Sequence, residues 1–153
     1  MIATEIYIEP ISQDNPVGEN IEYDEKYQKL VNLLQEKPEQ QFGDLIIEAQ
    51  GQDWETIHQL ASDILLEKSK DLTIMSYFTQ SAIYSYGLSG LLSGLEIIYQ
   101  NLNIYWDDIY PRLYDEDQEY DPDYRINALS LFNAYDGILK ALRSTFLIKN
   151  GEL

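Results

Sequence analysis

A single histidine, His58, and no cysteine accompany twenty-seven Asp and Glu residues. That inventory limits the available chemistry. A Cys–His nucleophile pair and a cysteine-based zinc site both need residues the chain lacks. His58 sits at the edge of an apolar helical stripe and reads as a boundary residue, not as a ligand or base. Carboxylates abound, so a small carboxylate-dependent hydrolase is one alternative. It would need two carboxyl groups held in a cleft with separated pKa values, and no spacing singles out such a pair. A calcium-responsive binding module is another, because Asp115, Asp117 and Glu119 alternate like the opening ligands of a calcium loop. Against it, Tyr120 stands where that loop needs glycine, and Ile126 where it needs a bidentate Glu. The run from Asp115 to Asp121 therefore reads as a solvated acidic loop, and no cofactor or metal is expected.

Aromatic residues offer recognition instead of catalysis. Trp54 opens an amphipathic helix and is expected to pack on a neighbour. Trp106 ends another helix among Tyr105, Tyr110 and Tyr114, beside Asp107 and Asp108. Tyr and Trp dominate interface hot spots, so this tyrosine-rich rim is the candidate interaction surface.

The net charge is −17, from ten Lys and Arg against twenty-seven acids. Such a chain repels phosphates and anionic head groups, and it has no clustered basic residues for counterion release. Nucleic acid is not an expected partner; the charge can steer the domain toward a basic partner or serve solubility alone. Residues 72–95 contain no charge, long enough to span a bilayer. Serine, threonine and glycine interrupt the stretch, so it reads as a soluble core without membrane insertion. No secretory leader is evident, which predicts a cytoplasmic protein.

The elements follow from caps and periodicity. Residues 1–22 form an extended arm containing Pro10, Pro16 and Gly18, with Ile6, Ile8 and Ile11 tucked inward. Asp24, Asp53 and Asp71 are N-caps of three helices. The first carries Tyr27, Leu30, Val31 and Leu34, and the second Ile57, Leu60, Ala61, Ile64 and Leu65. Lys68 and Lys70 lie where cations complement the second helix's C-terminus. Residues 37–52 read as a loop with one helical turn. The third helix folds back at Gly87 as an αα-hairpin, with Ser89 capping a Leu-rich fourth helix. Gly87, Gly90 and Gly94 allow close approach of the two. Pro111 stops the fourth helix, and Asp121-Pro122 starts a last long one lined by residues from Ile126 to Phe146. Arg125, in its first turn, is electrostatically misplaced unless compensated, and is expected to pair with Asp71 or Asp107. The fold class is all-α: a compact bundle of about five principal helices with a central αα-hairpin.

Three segments together resemble the ImpA-related N-terminal domain of type VI secretion TssA-like proteins. The first is residues 14–24, with Pro16, Gly18 and Asp24. The second runs from Asp53-Trp54 through Lys70-Asp71-Leu72 and Gly87-Leu88-Ser89-Gly90-Leu91 to Tyr105-Trp106-Asp107 and Pro111. The third is the acidic linker leading to Arg125 and Ala128-Leu129. The resemblance spans nearly the whole chain in order. It implies a single ImpA-type N-terminal domain over 1–153 (arm 1–22, bundle 23–149), a fragment of a longer protein. It further implies a non-catalytic assembly role in the secretion apparatus, with sheath, baseplate or membrane-complex proteins as partners and self-association also open.

Overall fold

The computed structural model describes residues 2–49 and 51–145. Among them are six α-helices: α1 Glu25–Leu34, α2 Trp54–Glu67, α3 Leu72–Tyr86, α4 Leu88–Tyr105, α5 Asp123–Leu129 and α6 Ile138–Arg143. The aspartate caps expected at Asp24, Asp53 and Asp71 form, whereas the helix expected to start at Asp121-Pro122 begins at Asp123 with Pro122 as its N-cap. Asp24 accepts the amides of Lys26 and Tyr27, Asp53 that of Thr56, and Asp71 that of Ile74. Each satisfies donors that the first helical turn would strand.

The central element is α3, packed between α2 and α4, with α5 and α6 also against it. It buries Leu72, Ile74, Met75, Phe78, Ala82 and Ile83, and each large apolar side chain among them contributes roughly 2 kcal/mol. The hydroxyls of Ser76, Thr79 and Ser81 donate to the carbonyls of Leu72, Met75 and Phe78. This bonding lets an uncharged, hydroxyl-rich helix sit inside the core. The turn from α3 to α4 is one residue, Gly87 at φ 60, whose amide donates to the carbonyl of Ile83. Ser89 does not cap α4; its hydroxyl donates back to the carbonyl of Tyr86. As the glycine spacing suggests, α3 and α4 touch through small residues. A Cβ on Gly90 would strike the backbone at Ala82, and one on Gly94 the side chain of Thr79.

Four expectations need correction. Among the described residues of 37–52 there is no helical turn; an antiparallel hairpin of β1 Gln40–Phe42 and β2 Leu45–Ile47 stands there instead. Phe42 pairs with Leu45 across a Gly43-Asp44 loop, and Gly43 takes the positive φ such a loop demands. The last helix is not continuous: α5 runs into a 3-10 turn over Ser130–Phe132, and turns at Asn133 and at residues 135–137 precede α6. After this break Ile138 and Ala141 pack with Ile83. Phe146 lies outside the described residues. In the arm, Tyr7, Val17 and Ile21 are the buried anchors, whereas Ile6 is exposed and Ile8 and Ile11 half-buried.

The fourth correction concerns α4. Its buried face is Gly90, Ser93, Gly94, Ile97, Ile98 and Asn101. Leu88, Leu92 and Leu95, within the stretch 72–95 that reads as core, point outward, and Tyr99 with them. Close contact with α3 needs small residues at the seam, so the glycines and Ser93 take that face and turn the leucines away.

Candidate docking surface

The link between α2 and α3, residues 68–71, joins two otherwise distant segments. On one side the Lys70 amide donates to the Val17 carbonyl at 2.7 Å, and the Glu19 amide to the Lys68 carbonyl at 3.0 Å. On the other, the Tyr110 amide donates to the Lys70 carbonyl at 3.0 Å, and the Leu72 amide to the Tyr110 carbonyl at 2.8 Å. Gly18 sits against this link at φ 74, so close that a Cβ would strike the Lys68 carbonyl. Pro16 closes the arm's own loop by accepting the Ile11 amide.

The Lys70 side chain is 1% exposed. Its ammonium donates to the carbonyls of Tyr7 at 2.9 Å and Leu65 at 3.0 Å. The Leu65 bond is the expected helix-end interaction in direct form, while the Tyr7 bond clamps the arm. Burial without a bonded carboxylate brings the ammonium pKa down from 10.5 to about 8. Asn101 adds a second donor to the Tyr7 carbonyl, and the Tyr105 hydroxyl donates to the Ile8 carbonyl at 2.8 Å.

Arg125 is 5% exposed and pairs with neither Asp71 nor Asp107. Its Nε donates to the Pro111 carbonyl at 2.7 Å and Nη2 to the Ile109 carbonyl at 2.9 Å. Two inward-facing carbonyls do the compensating that a carboxylate was expected to do; the Asp71 carboxylate is engaged at its helix cap. The guanidinium also lies over the Trp106 ring, 5.0 Å from its centroid. Arg125→Lys cannot reproduce the planar two-carbonyl contact. We expect it to cost about 2 kcal/mol in urea unfolding. In a Trp54→Phe background it should also red-shift Trp106 emission. An unchanged midpoint and spectrum would refute this role.

Trp106 ends α4, half-exposed, and opens the aromatic rim. Asp107 and Asp108 follow it in solvent, Asp108 meeting Arg112 at 3.2 Å. Arg112 in turn lies over the Tyr110 ring at 4.6 Å, and Tyr114 packs edge-on to Tyr120. Tyr105 is not part of this surface: it is half-buried, with its hydroxyl bonded inward. The rim's rings are braced by cations and by one another, as a preformed contact surface requires.

The remaining candidates are engaged in the fold. Trp54 stacks on Tyr84 at 4.4 Å. The His58 Nδ1 lies 3.0 Å from the Ser81 hydroxyl, and burial holds the imidazole below its ordinary pKa. Burial raises the Asp71 carboxyl above its ordinary range while it accepts the Ile74 amide. Asp115 accepts the amides of Asp117 and Glu119 within its own loop. Among the described residues, no three His, Cys, Asp or Glu side chains gather as a metal-ligand set. No helix among them is long and apolar enough to cross a membrane.

The sequence matches the family described as "ImpA, N-terminal, type VI secretion system" over residues 8–134. The chain belongs to the ImpA N-terminal family. It is 38% identical over 130 residues to the type VI secretion system component TssA1 of Pseudomonas aeruginosa, covering 85% of this chain. The chain spans 37% of that curated relative's length. Its fold is similar to an N-terminal domain, including the conserved ImpA_N region, of the TssA component from Burkholderia cenocepacia. The TM-score is 0.68 at 18% identity, covering 86% of this chain and 47% of the other. In this ImpA N-terminal chain, Gly18, Lys70, Asp71, Pro111 and Arg125 meet at the α2–α3 link. Gly87 and Gly90 instead set the α3–α4 contact. These two groups are architectural, which separates them from the rim.

Two exposed features were not singled out from sequence. One is the outward leucine stripe of α4, and the other is the hairpin with exposed Phe42, Leu45 and Ile46. The hairpin had a readable signal in Gly43-Asp44 between two short runs. The stripe had none, because its periodicity does not say which face meets α3.

Proposed function

We propose that this domain is a non-catalytic docking module of a cytoplasmic type VI secretion component, part of a longer TssA-like protein. It contributes protein contacts during assembly of the sheath and baseplate. Membership of the ImpA N-terminal family and similarity to TssA1 support the setting. The observation that carries the surface is Trp106, held half-exposed by the Arg125 guanidinium and flanked by Asp107 and Asp108. A braced tryptophan beside desolvatable carboxylates suits a partner patch that combines an apolar pocket with Lys or Arg. The net charge of −17 steers encounter with such a basic patch. The candidate partners are sheath, baseplate or membrane-complex proteins.

The test is capture of secretion components from host lysate, with the wild-type chain and the Asp107→Arg/Asp108→Arg variant as parallel baits. Both aspartates are exposed, and only Asp108 is paired in the structure, to Arg112. The variant should therefore fold normally by circular dichroism and urea midpoint. We expect the wild type to enrich a sheath, baseplate or membrane-complex protein, and the variant to lose roughly tenfold. Equal enrichment would move the interface away from the rim. Capture of no such component by either bait would overturn the docking reading.

A further inference from the structure

On its outward face, α4 carries Leu88, Leu92, Leu95 and Tyr99, with Leu92 70% exposed. Their spacing is four, three, four, the seam of a coiled coil. A solvent-facing helix surface is ordinarily polar; here it carries this apolar stripe, while Gly90, Ser93, Gly94 and Asn101 are buried on the inner face with Ile97 and Ile98. We propose that this stripe is a homotypic interface, on which α4 of a second copy of this chain packs antiparallel.

Three observations select a second copy as the occupant. First, the spacing reads the same in both directions. About a two-fold axis between residues 93 and 94, Leu88 meets Tyr99 of the second copy, and Leu92 meets its Leu95. The patch is thereby self-complementary, as a two-fold interface requires. Second, α4 contains one charged residue, Glu96, at the flank of the stripe, in a chain of net charge −17. Self-contact elsewhere on so acidic a body brings carboxylates together, whereas this stripe meets its copy without like charge along the seam. Third, antiparallel pairing puts each helix N-terminus beside the other's C-terminus, which complements both dipoles. A strongly basic partner would find nothing to pair with here, unlike at the aspartate-flanked rim.

The test is sedimentation velocity of the 153-residue chain from low-micromolar to near-millimolar concentration. The wild type should pass from monomer to dimer within that range. Leu92→Glu/Leu95→Glu, which places carboxylates at the axis, should remain monomeric throughout. Its urea midpoint should stay at the wild-type value, because both leucines are exposed. Orientation is read by cross-linking, since the chain has no cysteine of its own. Mixing Leu92→Cys with Leu95→Cys chains under mild oxidation should give the mixed disulfide in excess over either homodimer. A wild type that stays monomeric throughout overturns the proposal and leaves the stripe to another segment or protein. A Glu variant that still dimerises places self-association on another surface. Predominant disulfide linkage between two Leu92→Cys chains overturns the antiparallel arrangement. None of these outcomes involves Asp107 or Asp108, so this proposal and the rim reading stand or fall separately.

Discussion

Gly90→Ala should destabilise the domain by about 3 kcal/mol, lowering the urea midpoint at an unchanged slope. The added methyl would lie against the carbonyl carbon and oxygen of Ala82 and the amide nitrogen of Ile83. These are backbone atoms inside α3, so no rotamer change relieves the overlap. The helices must part, and α3 is the element around which α2, α4, α5 and α6 pack. Intrinsic propensity pulls the other way, since alanine is favoured over glycine mid-helix by about 1 kcal/mol. The steric term wins because it acts through the most extensive helix contact of the core. Gly94→Ala should destabilise as well: its methyl would lie against Oγ1, Cγ2 and Cβ of Thr79, and the Cβ does not move when the side chain rotates, so the helices must part there too. Gly51→Ala is the control, with nothing within 4 Å of its Cβ. It should be neutral or slightly stabilising through the unfolded chain. A Gly90→Ala midpoint equal to that of Gly51→Ala would show that α3 and α4 have slack the packing does not reveal.

The second large effect is a rise in stability at alkaline pH that Lys70→Met abolishes. The folded ammonium titrates near 8 because burial disfavours its charge, against 10.5 when exposed. Below pH 8 both states hold the proton, and the full burial penalty is present. Between pH 8 and 10.5 the unfolded chain binds more protons than the folded one, so stability rises with pH, by at most ~1.4 kcal/mol per pH unit. Above about 10 the tyrosines act in the opposite sense. Burial keeps the Tyr27, Tyr77, Tyr84 and Tyr105 phenols protonated in the folded state beyond their ordinary value. The Lys70 contribution should therefore climb by about 2 kcal/mol from about pH 8 to about pH 10, with the tyrosines increasingly offsetting it as pH nears 10. Lys70→Met fills a similar space without a proton to lose, so its profile should lack that rise and show only the tyrosines' loss. Near neutral pH the variant loses two charge-assisted bonds, to Tyr7 and Leu65, but also sheds the buried charge, leaving a small net change. The gap between the two proteins should change steadily as pH rises, in favour of the wild type. Parallel profiles from neutral pH to about pH 10 would mean that Lys70 reaches water in the folded state.

The caps, the two central helices and the glycine contact were legible because each rests on short-range rules. Asp24, Asp53 and Asp71 announce helix starts through their own carboxylates, and Gly90 and Gly94 announce a close neighbour. What was not legible depended on long-range geometry. Arg125 looked misplaced at a helix start because only dipole and charge could be weighed. Its partners are the carbonyls of Ile109 and Pro111, and backbone acceptors carry no sequence signature. Lys70 read only as a helix-end cation, because its approach to Tyr7, sixty-three positions away, has no local trace. Of the rim, Trp106, Asp107, Asp108, Tyr110 and Tyr114 could be named from composition. Tyr105 could not be separated from them, since its inward turn depends on where the arm lies.

The clamping of the arm has a consequence for how the chain is made. The Tyr7 carbonyl is held by Lys70 and Asn101, and the Ile8 carbonyl by Tyr105. Residues 7 and 8 leave the ribosome before the side chains that hold them, which emerge more than sixty and more than ninety residues later. At synthesis rates of about 5–20 residues per second, the arm waits on the order of 5–20 s beyond its own translation. During that interval Tyr7, Val17 and Ile21 have no core to enter. The arm is thus synthesised ahead of the helices that hold it and docks only after them, and the nascent chain offers its apolar anchors to chaperones before it offers them to itself.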